Sequence, residues 1–130
     1  MPLVSIHIVK GARTPSEVQD LSNVIHRSLQ AAFKTPAKDR LQIITQHEDY
    51  ELILDDNGLG FQRTKNRVLI LITQQGRTSI DKQELFATLA EDLSKSCGLN
   101  NTDLMVSITT NSKEDWSFGQ GKAQFLTGDL

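Results

Sequence analysis

This chain repeats itself at an offset of 64 residues: Arg13-Thr14 falls on Arg77-Thr78, Leu21 on Leu85, Ile25 on Leu89, Leu29 on Leu93 and Ile44 on Ile108. Each copy reads as strand, helix, strand. In the first, the alternating run Val4 to Val9 leads into a helix over Pro15 to Phe33 and then Leu41-Gln42-Ile43-Ile44-Thr45. Val18, Leu21, Ile25, Leu29 and Phe33 recur at spacings of three and four, which defines one apolar helical stripe. Thr14 caps that helix, Pro15 suits its first position, and Glu17 completes a Thr-x-x-Glu capping box. In the second copy Val68 to Thr73 precedes a helix over Ile80 to Cys97, with Leu85, Leu89 and Leu93 inward and Gly98 as its stop. Leu104 to Thr109 closes it.

Two βαβ units, each with parallel strands joined by a crossover helix, predict an α+β sandwich: a four-stranded mixed sheet with both helices on one face. At 130 residues the chain fits one domain, 1–130, holding repeats 1–60 and 61–130. Between the copies, Glu51-Leu52-Ile53-Leu54 is expected as a short strand and Asp55 to Gly60 as a surface turn. That turn is no calcium loop, because Leu59 stands where an oxygen ligand is needed and Asn66 where a Glu is needed. Val68-Leu69-Ile70-Leu71-Ile72 is apolar on both faces, so the sheet face away from the helices needs a cover. No sequence is left to supply a third layer, and the expected cover is another copy of the chain.

Composition removes several function classes. With 14 Lys and Arg scattered along the chain, 16 Asp and Glu, a formal charge of -2 and 5% aromatics, there is no footprint for nucleic acid. No apolar run approaches the roughly 18 residues of a membrane span, and the start lacks a secretory signal pattern, so the expected location is cytoplasmic. The lone Cys97 fits a reducing compartment and is assigned no role. His7, His26 and His47 lie on different predicted elements without paired ligand spacing, so no metal is expected. Gly58-Leu59-Gly60 and Gly119-Gln120-Gly121 lack the third glycine and following helix of a phosphate cradle.

Four features carry possible chemistry. Pro2 directly precedes the first strand, where a missing N–H costs nothing. Removal of Met1 would make it a secondary amine, and burial brings an α-amino group, with an ordinary pKa of about 8, toward neutrality. Arg77 follows Gly76 where a strand gives way to a helix, a setting that suits a carboxylate. Its repeat mate Arg13 is read as a solvated loop charge. Asp39, in Lys38-Asp39-Arg40, either orients a water or substrate hydroxyl or forms a turn or exposed ion pair. The aromatic segment Trp116 to Leu126 packs against an apolar site wall or a neighbouring subunit.

Together, Met1-Pro2-Leu3, Lys38 to Ile43, Gly58 to Arg63, Gly76-Arg77 and Asp115 to Gly128 resemble the tautomerase superfamily, and within it the malonate semialdehyde decarboxylase family. The resemblance spans essentially the whole chain and implies a homotrimer of duplicated βαβ subunits acting without a cofactor on a small oxo acid. It matches Pro2 to the catalytic proline, Asp39 to its carboxylate partner, and Arg77 to the second of two site arginines. Trp116, Phe118, Phe125 and Leu130 match the apolar wall. Gln75 stands where the decarboxylase pattern has its first arginine; it can hydrogen-bond a carbonyl or hydroxyl but brings no charge. The implied activity is a tautomerase, with decarboxylation or hydration as further modes. The alternatives are a non-catalytic trimer of this fold with a binding or regulatory role, and a ligand-sensing module with an exposed sheet face.

Overall fold

A computed structural model describes all 130 residues. Strands β1 (Leu3–Val9), β2 (Leu41–His47), β3 (Val68–Gln75) and β4 (Leu104–Asn111) form one sheet in the order β2-β1-β3-β4. Within each repeat the strands run parallel, and the central pair β1 and β3 is antiparallel. Helices α1 (Pro15–Phe33) and α2 (Ser79–Cys97) lie against the sheet. Val4, Ile6 and Ile8 of β1 and Val68, Ile70 and Ile72 of β3 meet Leu21, Ile25, Leu29 and Phe33 of α1 and Leu85, Leu89 and Leu93 of α2 in a single buried core.

The repeat extends to the helix ends. Thr14 accepts the Glu17 N–H and Glu17 reaches back to the Thr14 N–H; Thr78 and Asp81 do the same for α2. Each box satisfies two backbone donors that an open helix end leaves unpaired. Gly98 ends α2 in the left-handed region, its N–H returning to the Leu93 and Ser94 carbonyls.

On the other sheet face, pleating and register bring together Leu3, Ser5 and His7 of β1, Ile43 of β2, Leu69 and Leu71 of β3 and Met105 of β4. Ile43 is 53% exposed and Leu71 39% exposed within one chain. This is the uncovered apolar face that the two-sided sequence of β3 predicts.

The strand expected over Glu51 to Leu54 does not form. Asp49–Glu51 is a single 3-10 turn and the following residues are irregular. Arg67 explains the local geometry: its guanidinium donates to the Leu52 carbonyl at 2.8 Å, the Asp49 carbonyl at 2.8 Å and the Asp49 carboxylate at 2.9 Å. Those carbonyls are satisfied by a side chain instead of a strand ladder, while Leu52 is buried and Ile53 stays exposed.

Candidate active site

One end of the sheet collects the starts of β1 and β2 and the ends of β3 and β4. Met1 and Pro2 lie there by necessity, Asp39 precedes β2, Gln75 ends β3 and Arg77 opens the loop to α2. Pro2 is buried. The terminal amine of Met1 is held below its ordinary value, first by burial and then by Arg77, while Asp39 pulls the other way. A desolvated amine with a carboxylate and a guanidinium in its field is thus present at this end.

Each charged partner is placed by its neighbours. Arg40 does not pair with Asp39: its guanidinium donates to Gln42 Oε1 at 3.0 Å, Asn23 Oδ1 at 2.8 Å and Ser22 Oγ at 3.2 Å. These bonds tie the start of β2 to α1, and the Asp39 N–H closes a turn onto the Pro36 carbonyl. The Asp39 carboxylate is left half-exposed, which removes the ion-pair reading of Lys38-Asp39-Arg40. Arg77 lies over Phe33, its Cζ 4.8 Å from the ring centroid. Phe33 is a core residue, so this cation–π contact fixes the guanidinium against rigid structure. The Arg77 Nε and the Gln75 Oε1 are buried without hydrogen-bond partners.

Sequence reasoning missed Gln74. It is 1% exposed, its amide N–H donates to the Gln75 carbonyl at 2.9 Å, and its Oε1 has no partner. One step beyond the last registered pair, Leu3 with Thr73, Gln74 falls opposite Pro2. An amide after the apolar run Val68 to Ile72, aligned with an N-terminal proline, was the available signal.

The aromatic segment forms a unit beside β4. Trp116 is buried and donates through Nε1 to Asn111 Oδ1 at 3.1 Å, and Asn111 is the cross-strand partner of Gln75. Trp116 stacks on Phe118 at 5.3 Å, and Phe125 meets Phe118 edge-on at 5.6 Å. Gln124 clamps the intervening turn by accepting the Phe118 N–H at 2.9 Å and donating to the Gly119 carbonyl at 2.8 Å. Leu130 stays exposed. None of the four cavities of the single chain is lined by Pro2, Asp39, Gln75 or Arg77.

Two further findings lie elsewhere. His7 and His47, on different strands, meet: His7 Nδ1 and His47 Nε2 are 2.8 Å apart, the rings stack, and Ser5 Oγ meets His7 Nε2 at 2.9 Å. β2 continues two residues beyond the expected Thr45 and so carries His47 alongside β1. Arg13 is not a solvated loop charge, for it is half-buried and its Nη2 donates to the Asn66 carbonyl at 2.7 Å.

A family model described as tautomerase enzyme matches residues 39–119. The chain is 45% identical to the probable tautomerase YrdN of Bacillus subtilis (strain 168) over 130 residues, all of both chains. It is 35% identical to the probable tautomerase YusQ of the same organism over 127 residues, 97% of this chain and 99% of the relative. The crystal structure of a malonate semialdehyde decarboxylase superposes with a TM-score of 0.94 at 37% identity, covering 98% of each chain. A fused 4-OT solved as a symmetric trimer shares the fold, with a TM-score of 0.78 at 20% identity over 97% of this chain and 98% of that one.

Proposed function

The chain belongs to the tautomerase family, and from that premise we propose that it is an isomerase-type enzyme in which Pro2, freed by removal of Met1, moves a proton on a small 2-oxo or 3-oxo acid. The observation that carries this reading is the placing of buried Pro2 at the head of β1, where the amine of the preceding Met1 is held below its ordinary value by burial and by Arg77. A secondary amine freed at Pro2 takes a proton as a base when neutral and gives one as an acid when protonated. Arg77, braced on Phe33, holds the substrate carboxylate, and its unpartnered Nε supplies a further donor. Gln75 meets the carbonyl or enol oxygen. Asp39 opposes the fall in the amine pKa and orients a hydroxyl or water.

In the tautomerase cycle Pro2 takes the proton as the enol oxygen becomes a carbonyl and returns it to C3. Trp116, Phe118, Phe125 and Leu130 form an apolar wall, and a trimer built on the uncovered sheet face encloses the site. This arrangement requires no cofactor.

Decarboxylation or hydration is a second reading, favoured by the likeness to malonate semialdehyde decarboxylase. In that mode protonated Pro2 polarises a carbonyl or donates to an unsaturated acid. Gln75 weighs against an efficient decarboxylase. A hydrogen bond to a charged group is worth about 1.5–3 kcal/mol, so a missing arginine that acts in the transition state costs roughly 10- to 100-fold.

The test is turnover of an enolised 2-oxo acid such as phenylenolpyruvate by wild type and Pro2→Ala, which retains a primary amine. The expected result is a lower kcat for the variant at unchanged fold; equal kinetics overturn the role of Pro2.

A further inference from the structure

The duplication gives the candidate site a counterpart at the other end of the sheet. The 64-residue offset that carries Arg13 onto Arg77 also carries Pro2 onto Asn66, Asp39 onto Asp103, and Phe33 onto Cys97. The counterparts meet in space: Arg13 Nη2 donates to the Asn66 carbonyl, and Arg13 shares a cavity with Cys97 much as Arg77 lies on Phe33. Proton transfer has no agent there. Asn66 is an internal residue with no amine to offer, and Asp103 is fully buried with its carboxylate taken by Thr64.

The arginine is nevertheless kept, and it borders open space. A cavity of about 450 Å³ is lined by Lys10, Gly11, Arg13, Pro15, Val18 and Gln46. This lining holds two cations, an amide and two apolar side chains, with no carboxylate. Arg13 Nη1 is buried and has no hydrogen-bond partner, although Nη2 is engaged. The nearby acids are otherwise disposed. Glu17 is held by the Thr14 N–H at 3.0 Å and, with Asp20, lines a separate cavity of about 150 Å³ that also contains Cys97. Glu48 contacts Lys10 only at 3.5 Å, between two well-exposed side chains. The end of α1 is already capped by Thr14 and Glu17, so the side chains alone make the site.

We propose that this cavity is a second, non-catalytic binding site for a small carboxylic acid. Arg13, whose Nη2 is already held by the Asn66 carbonyl, and Lys10 supply the positive charge that attracts the carboxylate, and Val18 and Pro15 take the carbon skeleton. The inference rests on the repeat, the cavity and the orphaned nitrogen, and it holds whether or not Pro2 is catalytic.

Isothermal titration of the full-length protein with malonate tests it. One equivalent of malonate per chain is expected to weaken by roughly 10- to 100-fold in Arg13→Gln, the consequence of losing one charge-assisted partner. The exposed Lys10→Glu should weaken the same equivalent without touching the fold, which covers the case in which Arg13→Gln unfolds. Arg77→Ala should retain that equivalent, and Lys10→Glu should leave turnover at Pro2 unchanged. Malonate binding that is identical in wild type and Lys10→Glu overturns the proposal. So does displacement of this equivalent by an equal concentration of inorganic phosphate, because the carbon skeleton would then contribute nothing.

Discussion

Asp39 and Asp103 occupy the same position in the two repeats, and the structure gives them opposite properties. Asp103 is 0% exposed; it accepts the Thr64 N–H and, at 2.6 Å, the Thr64 hydroxyl. Thr64 in turn accepts the Asn66 N–H on its hydroxyl, and the Arg67 N–H and guanidinium on its carbonyl, so Asp103 organises the whole entry to β3. Asp103→Asn keeps the volume but presents N–H to one of two donors. At about 1.5–3 kcal/mol for a hydrogen bond to a charged group, it should cost about that much stability. Asp103→Ala removes both acceptors and should cost about 3–6 kcal/mol. Asp39→Asn removes no such side-chain bond and should stay within about 0.5 kcal/mol of wild type while reducing turnover. Urea unfolding midpoints at one protein concentration, paired with kcat per folded chain, make the comparison. An Asp103→Asn protein as stable as wild type, or Asp39→Asn destabilised to the same degree, would refute this division between the twins.

The His7 pair predicts an acid-sensitive fold. Burial first, and His47 second, lower the His7 pKa from 6.5, so on acidification the unfolded chain takes up the proton before the folded one. This contribution to stability is complete above pH 6.5 and is lost as pH falls through the lower folded value; His7→Gln should flatten that part of the stability curve, and an unchanged slope would contradict the assignment. Phe33→Leu removes the ring beneath Arg77. With a cation–π contact worth about 0.5–2 kcal/mol, KM for an oxo acid should rise roughly 2- to 30-fold with little change in kcat. A variant with wild-type KM would show that Arg77 needs no such brace.

The helices were legible because their local signals agree with the core: Thr14, Pro15 and Glu17 mark one start, Gly98 one stop, and the Leu85, Leu89, Leu93 stripe faces inward as its spacing requires. Glu51 to Leu54 was misread because apolar residues in a row signal burial without specifying a partner, and here Arg67 takes the backbone carbonyls. Ending β2 at Thr45 concealed the His7–His47 contact, for a two-residue error at a strand end decides whether a side chain lies beside its neighbour. Arg13 was misjudged for a related reason. Its burial depends on residues such as Asn66 and Cys97 that are distant in sequence. The placing of Pro2, Asp39 and Arg77 at one end of the sheet was legible from strand ends and loop junctions, which parallel βαβ topology brings together, whereas the place of Gln74 emerges only once the pairing of β1 with β3 sets it opposite Pro2.

The central proposal is that the buried Pro2, once its amine is free, does the chemistry. It is tested most directly by the pH dependence of kcat/KM for phenylenolpyruvate, measured on protein whose intact mass shows that Met1 is absent. Activity is expected to rise with pH through a single amine pKa in the neutral range, displaced downward in Asp39→Asn because a nearby carboxylate favours the protonated amine. A profile that is flat across this range, or the same profile in protein that retains Met1, would contradict it.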